Sequence, residues 1–150
     1  MKNSIASLLA LANSLPVRTE RVEILRANDC KPLRDMIKAS LCPSVNWLLQ
    51  KGEYKYTPNT FENQEGNLIR ETKRLYLFIE GGTPMDQKKR VNLFIQLLEM
   101  VAAEDAELLV NASNKKWPYK KLNVGIINEA FPGLIEEKKP KPLIDVTKDF

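Results

Sequence analysis

The chain has 150 residues, 43 % of them apolar and 28 % charged, with a formal net charge of +4. Those values suit one globular domain with its own core, and no run approaches the ~20 apolar residues of a membrane span. Histidine is absent, which removes the commonest general base and metal ligand near neutral pH. The small cationic surplus favours anionic partners only where its lysines cluster.

The N-terminal run MKNSIASLLALANSLP has the length of a secretory leader, but Ser4, Ser7, Asn13 and Ser14 interrupt it and no cleavage motif follows. Ile5, Leu8, Leu9, Ala12 and Leu15 recur at three and four residues, so it reads as an amphipathic helix ended by Pro16. Thr19 is the expected cap of a second helix, with Val22, Ile24 and Leu25 inward and Asn28-Asp29 closing it. Lys31-Pro32 opens a third, striped by Leu33, Met36, Ile37 and Leu41. Pro43 and Ser44 restart a fourth, carrying Val45, Trp47, Leu48 and Leu49 up to Gly52. Cys30 and Cys42 lack the further ligands of a zinc site. They could pair, but free thiols in a cytoplasmic protein are the expectation.

Periodicity vanishes over residues 53–66, where Tyr54, Tyr56 and Phe61 sit among Pro58, Asn59 and Thr60. This is a long ordered loop or a clamp over the core. Helical spacing returns with Leu68, Ile69, Thr72, Leu75, Tyr76 and Ile79, and ends at Gly81-Gly82. Thr83-Pro84-Met85-Asp86 has a hydroxyl cap, a proline at the first helical position and an early carboxylate. Val91, Phe94, Ile95, Leu98, Val101 and Ala102 carry the helix that follows, and residues 104–110 a separate short one. Residues 111–121, NASNKKWPYKK, form a polar, lysine-rich loop. Asn123 caps the short helix Val124–Ala130. Beyond Ile135, EEKKPKPLIDVTKDF has balanced charge and prolines, the marks of an extended, flexible tail.

The expected fold is therefore all-α: a compact bundle of about seven or eight short helices over residues 4–135, with a tail over 136–150. No internal repeat and no strand alternation interrupts that reading.

Catalytic chemistry is hard to find. Gly81-Gly82 stands outside any phosphate loop. Glu104, Asp105 and Glu107 read as a solvated helix start, where acids suit the dipole, rather than as a metal site. No enzyme activity, cofactor or metal is expected. The basic residues say more. Arg70, Lys73 and Arg74 lie within about one helical turn and can share a face. Lys88-Lys89-Arg90 splay around a helix as a solvated surface. Lys115, Lys116, Lys120 and Lys121 bracket Trp117 and Tyr119 just before a helix start. Ammonium groups there could neutralise phosphates while amides near Val124 and Gly125 face an anion. Gly125 has no side chain to block a close backbone. An ordinary solvated loop with Trp117 folded inward is the alternative.

The segment EDAELLVNASNKKWPYKKLNVGIINEAFPGLI, residues 104–135, resembles the end of the N-terminal DNA-binding domain of phage ATP-dependent DNA ligases, those of T-even type especially. Gly125, Asn128, Phe131, Pro132, Gly133, Leu134 and Ile135 match in order and spacing. Upstream, Glu20, Ile24, Leu25, Asn28, Leu33 and Arg34 fit the same domain, so the likeness spans nearly all of residues 4–135. It implies a helical bundle that holds duplex DNA by its backbone along the minor groove, tolerant of sequence, in a cytoplasmic (host) phage accessory factor of replication, repair or recombination. It also implies that Phe131 and Leu134 plug the core about a Pro132-Gly133 turn, and that Asn128 bonds either to the duplex or to its own helix. The ligase Lys-x-Asp-Gly motif is absent from these residues, so ligation by that mechanism is not expected. The insertion Trp117-Pro118-Tyr119 also departs from the ligase basic run.

Two functions follow. A DNA-binding module would use Lys115, Lys116, Lys120 and Lys121 on phosphates, with Asn123, Gly125 and Asn128 beside them and Arg70, Lys73 and Arg74 as a second basic face. Four neutralised phosphates would give a log–log salt slope of about −3 to −4. Alternatively, the chain is an adaptor or inhibitor docking on a sliding clamp, polymerase or host protein, anchored by Leu143, Ile144 and Phe150 of the tail.

Overall fold

The computed structural model describes residues 4–59, 67–81 and 84–135. The proposed tail anchors Leu143, Ile144 and Phe150 lie outside them. The described residues are all-helical: α1 Ile5–Ser14, α2 Arg18–Ala27, α3 Lys31–Leu41, α4 Asn67–Glu71, a 3-10 helix Thr72–Leu77, α5 Gln87–Met100, α6 Ala103–Ser113 and α7 Val124–Ala130. No strand occurs among them; two isolated bridges join Trp47 to Ile79 and Asn59 to Ala102. The expected helix count and all-α class hold.

One continuous apolar cluster joins the helices. The stripes that their spacing predicts are the buried ones: Ile5, Leu8, Leu9 and Ala12 of α1, and Leu33, Met36 and Ile37 of α3. Phe94 of α5 is fully buried, with Trp47, Tyr54 and Phe78 set edge-on at 6.3, 5.2 and 5.3 Å. Such ring pairs add about 0.5–1.5 kcal/mol each beyond their burial. Cys30 and Cys42 are free thiols.

Local starts and stops differ from expectation in four places. α2 begins one residue before Thr19, after Val17, with no side-chain cap. The apolar residues Val45 to Leu49 form no helix. Leu48 N–H donates to the Phe78 carbonyl (2.8 Å) and Glu80 N–H to that of Asn46 (2.8 Å), so this segment pairs with a distant one. The segment from Leu68 onward tightens from α to 3-10 at Thr72. Asp86, rather than Thr83, occupies the α5 N-cap, and its side chain makes no capping bond; Thr83 lies outside the described residues.

Of the stretch 53–66, residues 53–59 are described and run as an ordered strap, while Thr60 and Phe61 lie outside the described residues. Thr57 N–H donates to Glu99 Oε2 (2.8 Å) and Asn59 Nδ2 to the Met100 carbonyl (3.1 Å), fastening the strap to α5. The acidic start of α6 is only partly solvated. Asp105 is fully buried and its Oδ1 accepts the Ala6 N–H (2.9 Å), while Glu104 Oε1 accepts from Ser4 Oγ (3.1 Å). Asp105 thus satisfies one of the free backbone donors at the start of α1, and Glu104 accepts from the hydroxyl of its cap, Ser4. Arg90 is buried too, its guanidinium donating to the Leu77 carbonyl and to Gln87 Oε1. Of the three consecutive basic residues, only Lys88 and Lys89 are exposed.

Candidate functional site

The lysine loop begins where α6 stops. Lys115 N–H donates to the Ala112 carbonyl (3.0 Å) and Lys116 N–H to that of Asn111 (2.8 Å), the paired bonds of a Schellman motif. Lys115 occupies the left-handed position, φ 57°, normally taken by glycine. Its side chain explains the exception. Nζ donates to the carbonyls of Ala39 (3.1 Å) and Cys42 (2.9 Å) and so closes the C-terminus of α3. Burial pushes its pKa down, with Lys51 adding to that; the field of Cys42 opposes it. Lys115 therefore braces α3, its ammonium engaged by two backbone carbonyls.

Trp117 and Tyr119 anchor the loop. Trp117 Nε1 donates to the Leu122 carbonyl (2.8 Å), and Trp117 meets Tyr119 edge-on at 5.0 Å, both packed against the core. Desolvation, then the fields of Asp105 and Glu107, push the Tyr119 phenol up to about 12. With the rings turned inward, Lys116, Lys120 and Lys121 are exposed. None of the three lies within 4.0 Å of a carboxylate among the described residues.

Lys121 leads into a corner shared by three helices. Its N–H donates to Asn13 Oδ1 at the end of α1 (2.8 Å). Asn123 caps α7 as expected, its Oδ1 accepting the Ile126 N–H (2.9 Å). α7 packs along α2, and this brings Arg18 to the corner: a Cβ built on Gly125 would lie 3.8 Å from Arg18 Nη2 and 3.3 Å from Asn123 Oδ1. Arg18 also pairs with Glu129 (2.9 Å) in an exposed ion pair. Nothing local in the sequence points to Arg18, since its neighbour Gly125 is remote in the chain.

Asn128 turns toward its own chain. It exchanges hydrogen bonds with the Ile135 backbone, closing the turn in which Phe131 and Ile135 are buried and Gly133 is left-handed, φ 76°. Arg70, Lys73 and Arg74 are all exposed. Arg70 donates to Asn67 Oδ1, Arg74 pairs with Glu71 (2.9 Å), and Lys73 and Arg74 line different clefts. Three residues per turn swing Arg74 away from its neighbour Lys73.

Among the described residues no cluster of Cys, Asp or Glu is arranged to hold a metal ion, and no helix is long and apolar enough to cross a membrane.

Fold and site together define a small all-helical protein with an exposed lysine-arginine corner. The chain belongs to DUF6433, a family of unknown function, whose model matches residues 8–118. The match takes in Lys115 and Lys116 and stops before Lys120, Lys121 and α7. No curated protein and no solved structure matches the chain.

Proposed function

We propose that the protein is a non-catalytic, sequence-tolerant duplex-DNA-binding module acting as a phage accessory factor. The observation that carries this reading is the corner itself: exposed Lys116, Lys120 and Lys121 on a loop pinned by Trp117, with Arg18 brought beside Gly125 by the packing of α7 on α2. Lysines on a braced loop neutralise phosphates with little loop ordering upon binding. The bare Gly125 lets a sugar-phosphate backbone approach Arg18. Such contacts fix position without reading bases. The ligase-domain resemblance, with its basic segment followed by glycine and a short helix, supports the same assignment.

The test is fluorescence anisotropy with nicked, intact and single-stranded oligonucleotides across a salt series. With Lys115 committed to α3, three lysines give an expected log–log slope of about −2.7, and Arg18 brings it to about −3.6. Glutamine at Lys116, Lys120 and Lys121 together should flatten the slope to about −1. A slope near zero for the native protein, or one that the triple substitution leaves unchanged, refutes the reading.

A further inference from the structure

A second surface is built by two helical periodicities. Lys31, Asp35 and Lys38 recur at four and three residues and share one face of α3. In the 3-10 helix, residues three apart eclipse: Thr72 and Leu75 are buried, whereas Lys73 and Tyr76 are exposed, Tyr76 to 51 %. Between these rows lies a groove of about 400 Å³ floored by Ala39, Val45, Leu75 and Ile79, within the size range of ligand-binding clefts. The groove shares no lining residue with the lysine-arginine corner.

Its charges are uneven. Asp35 is already engaged by Lys31, Nζ to Oδ2 2.8 Å. Lys38 and Lys73 face the groove from opposite walls, with no carboxylate in ion-pair range among the described residues. An aliphatic floor between two open ammonium groups, with an exposed phenol ring at the rim, complements a segment with one apolar and one acidic face.

We propose that this groove docks an acidic amphipathic segment of a partner protein. The partner's apolar side chains rest on Val45, Leu75 and Ile79 and against Tyr76, and its carboxylates face Lys38 and Lys73. The mode is the familiar one of an amphipathic segment laid into an apolar groove. Nucleic acid fits less well. Single strands are held by several aromatic platforms in succession, and here one ring stands above an aliphatic floor, with the Asp35 carboxylate on the wall.

The whole chain, labelled with ¹⁵N, is titrated with a fluorescein-labelled helical peptide carrying a leucine stripe and a glutamate face. A lysine-for-glutamate version of that peptide and an oligothymidylate serve as comparison probes. The acidic peptide should bind, with amide shifts gathered on residues 31–45 and 72–79. Lys38→Glu combined with Lys73→Glu should weaken binding about tenfold or more, and Tyr76→Ala by several-fold. All three positions are exposed, so thermal melts should stay native-like. Glutamine at Lys116, Lys120 and Lys121 should leave peptide binding intact, which separates this surface from the DNA reading. Absence of peptide binding, equal binding of the lysine version, shifts centred elsewhere, or preferential capture of the oligothymidylate at Tyr76 would each overturn the proposal.

Discussion

Asn128 and Ile135 hold each other at both ends of an eight-residue segment: Asn128 Nδ2 donates to the Ile135 carbonyl (3.1 Å), and the Ile135 N–H donates to Asn128 Oδ1 (3.0 Å). The pair locks Phe131 and Ile135 into the core after α7. Asn128→Ala removes both bonds and leaves a backbone donor and acceptor unpaired beside a residue only 4 % exposed. The expected loss is about 2 kcal/mol, or roughly 4–8 °C in melting temperature. DNA affinity well below the melt should not change. Calorimetry and anisotropy on the same variant check both halves; a large affinity loss with an unchanged melt would return Asn128 to the duplex.

Lys115 carries an opposed pair of effects. Left-handed backbone costs a non-glycine residue about 1–2 kcal/mol, while its ammonium satisfies two carbonyls at the end of α3. Lys115→Met keeps the backbone cost and loses the bonds, so stability should fall by about 1–2 kcal/mol. Lys115→Gly loses the same bonds but relieves the backbone, and should be about 1 kcal/mol more stable than the Met variant. Neither should change the salt slope of DNA binding. Denaturant unfolding ranks the variants, and a Gly variant weaker than Met would refute this account of the backbone.

Much of this architecture is legible from local pattern. Asn123, Val124–Ala130 and the Phe131 plug are read correctly because cap, helix and turn lie within a few residues of one another, but the second plug is Ile135, while the expected Leu134 is only half-buried. Failures arise where partners are remote. Val45, Trp47 and Leu48 have the composition of a buried helix, yet the backbone around them pairs with residues 78–80 and Trp47 Nε1 donates to the Ala39 carbonyl. A short apolar run does not reveal which period it will follow. Likewise Lys115 and Lys116 are adjacent lysines, and only the distance to α3 separates a structural ammonium from an exposed one. Arg18 enters the corner through the packing of α2 on α7, which no spacing along the chain encodes.

Tyr119 should make the loop sensitive to alkali. Its phenol is raised from 10.0 to about 12 by burial and then by Asp105 and Glu107. The folded state therefore keeps the proton where the unfolded chain has lost it. Stability from this group is fully present below pH 10 and declines as pH rises toward 12. Tyr119→Phe should remove that part of the decline. Phenolate absorbance of the native protein minus that of the Phe variant should titrate near 12; a midpoint near 10 would mean that the phenol is not buried against those acids.

Arg18 offers the sharpest separation of fold from binding. Its ion pair with Glu129 is exposed on both sides, so it contributes only about 0.2–1 kcal/mol, and the guanidinium can exchange that carboxylate for a phosphate at small cost. Arg18→Gln should barely move the melt yet flatten the salt slope by about 0.9. Glu129→Gln frees the same guanidinium and removes a negative charge from the corner, so DNA affinity should rise while the slope stays within error of native. The two variants push affinity in opposite directions from one ion pair, which a general change in net charge on a remote surface would not do at high salt, where distant charges are screened. Equal and opposite changes that vanish together above about 0.5 M salt would assign Arg18 to long-range attraction rather than to contact.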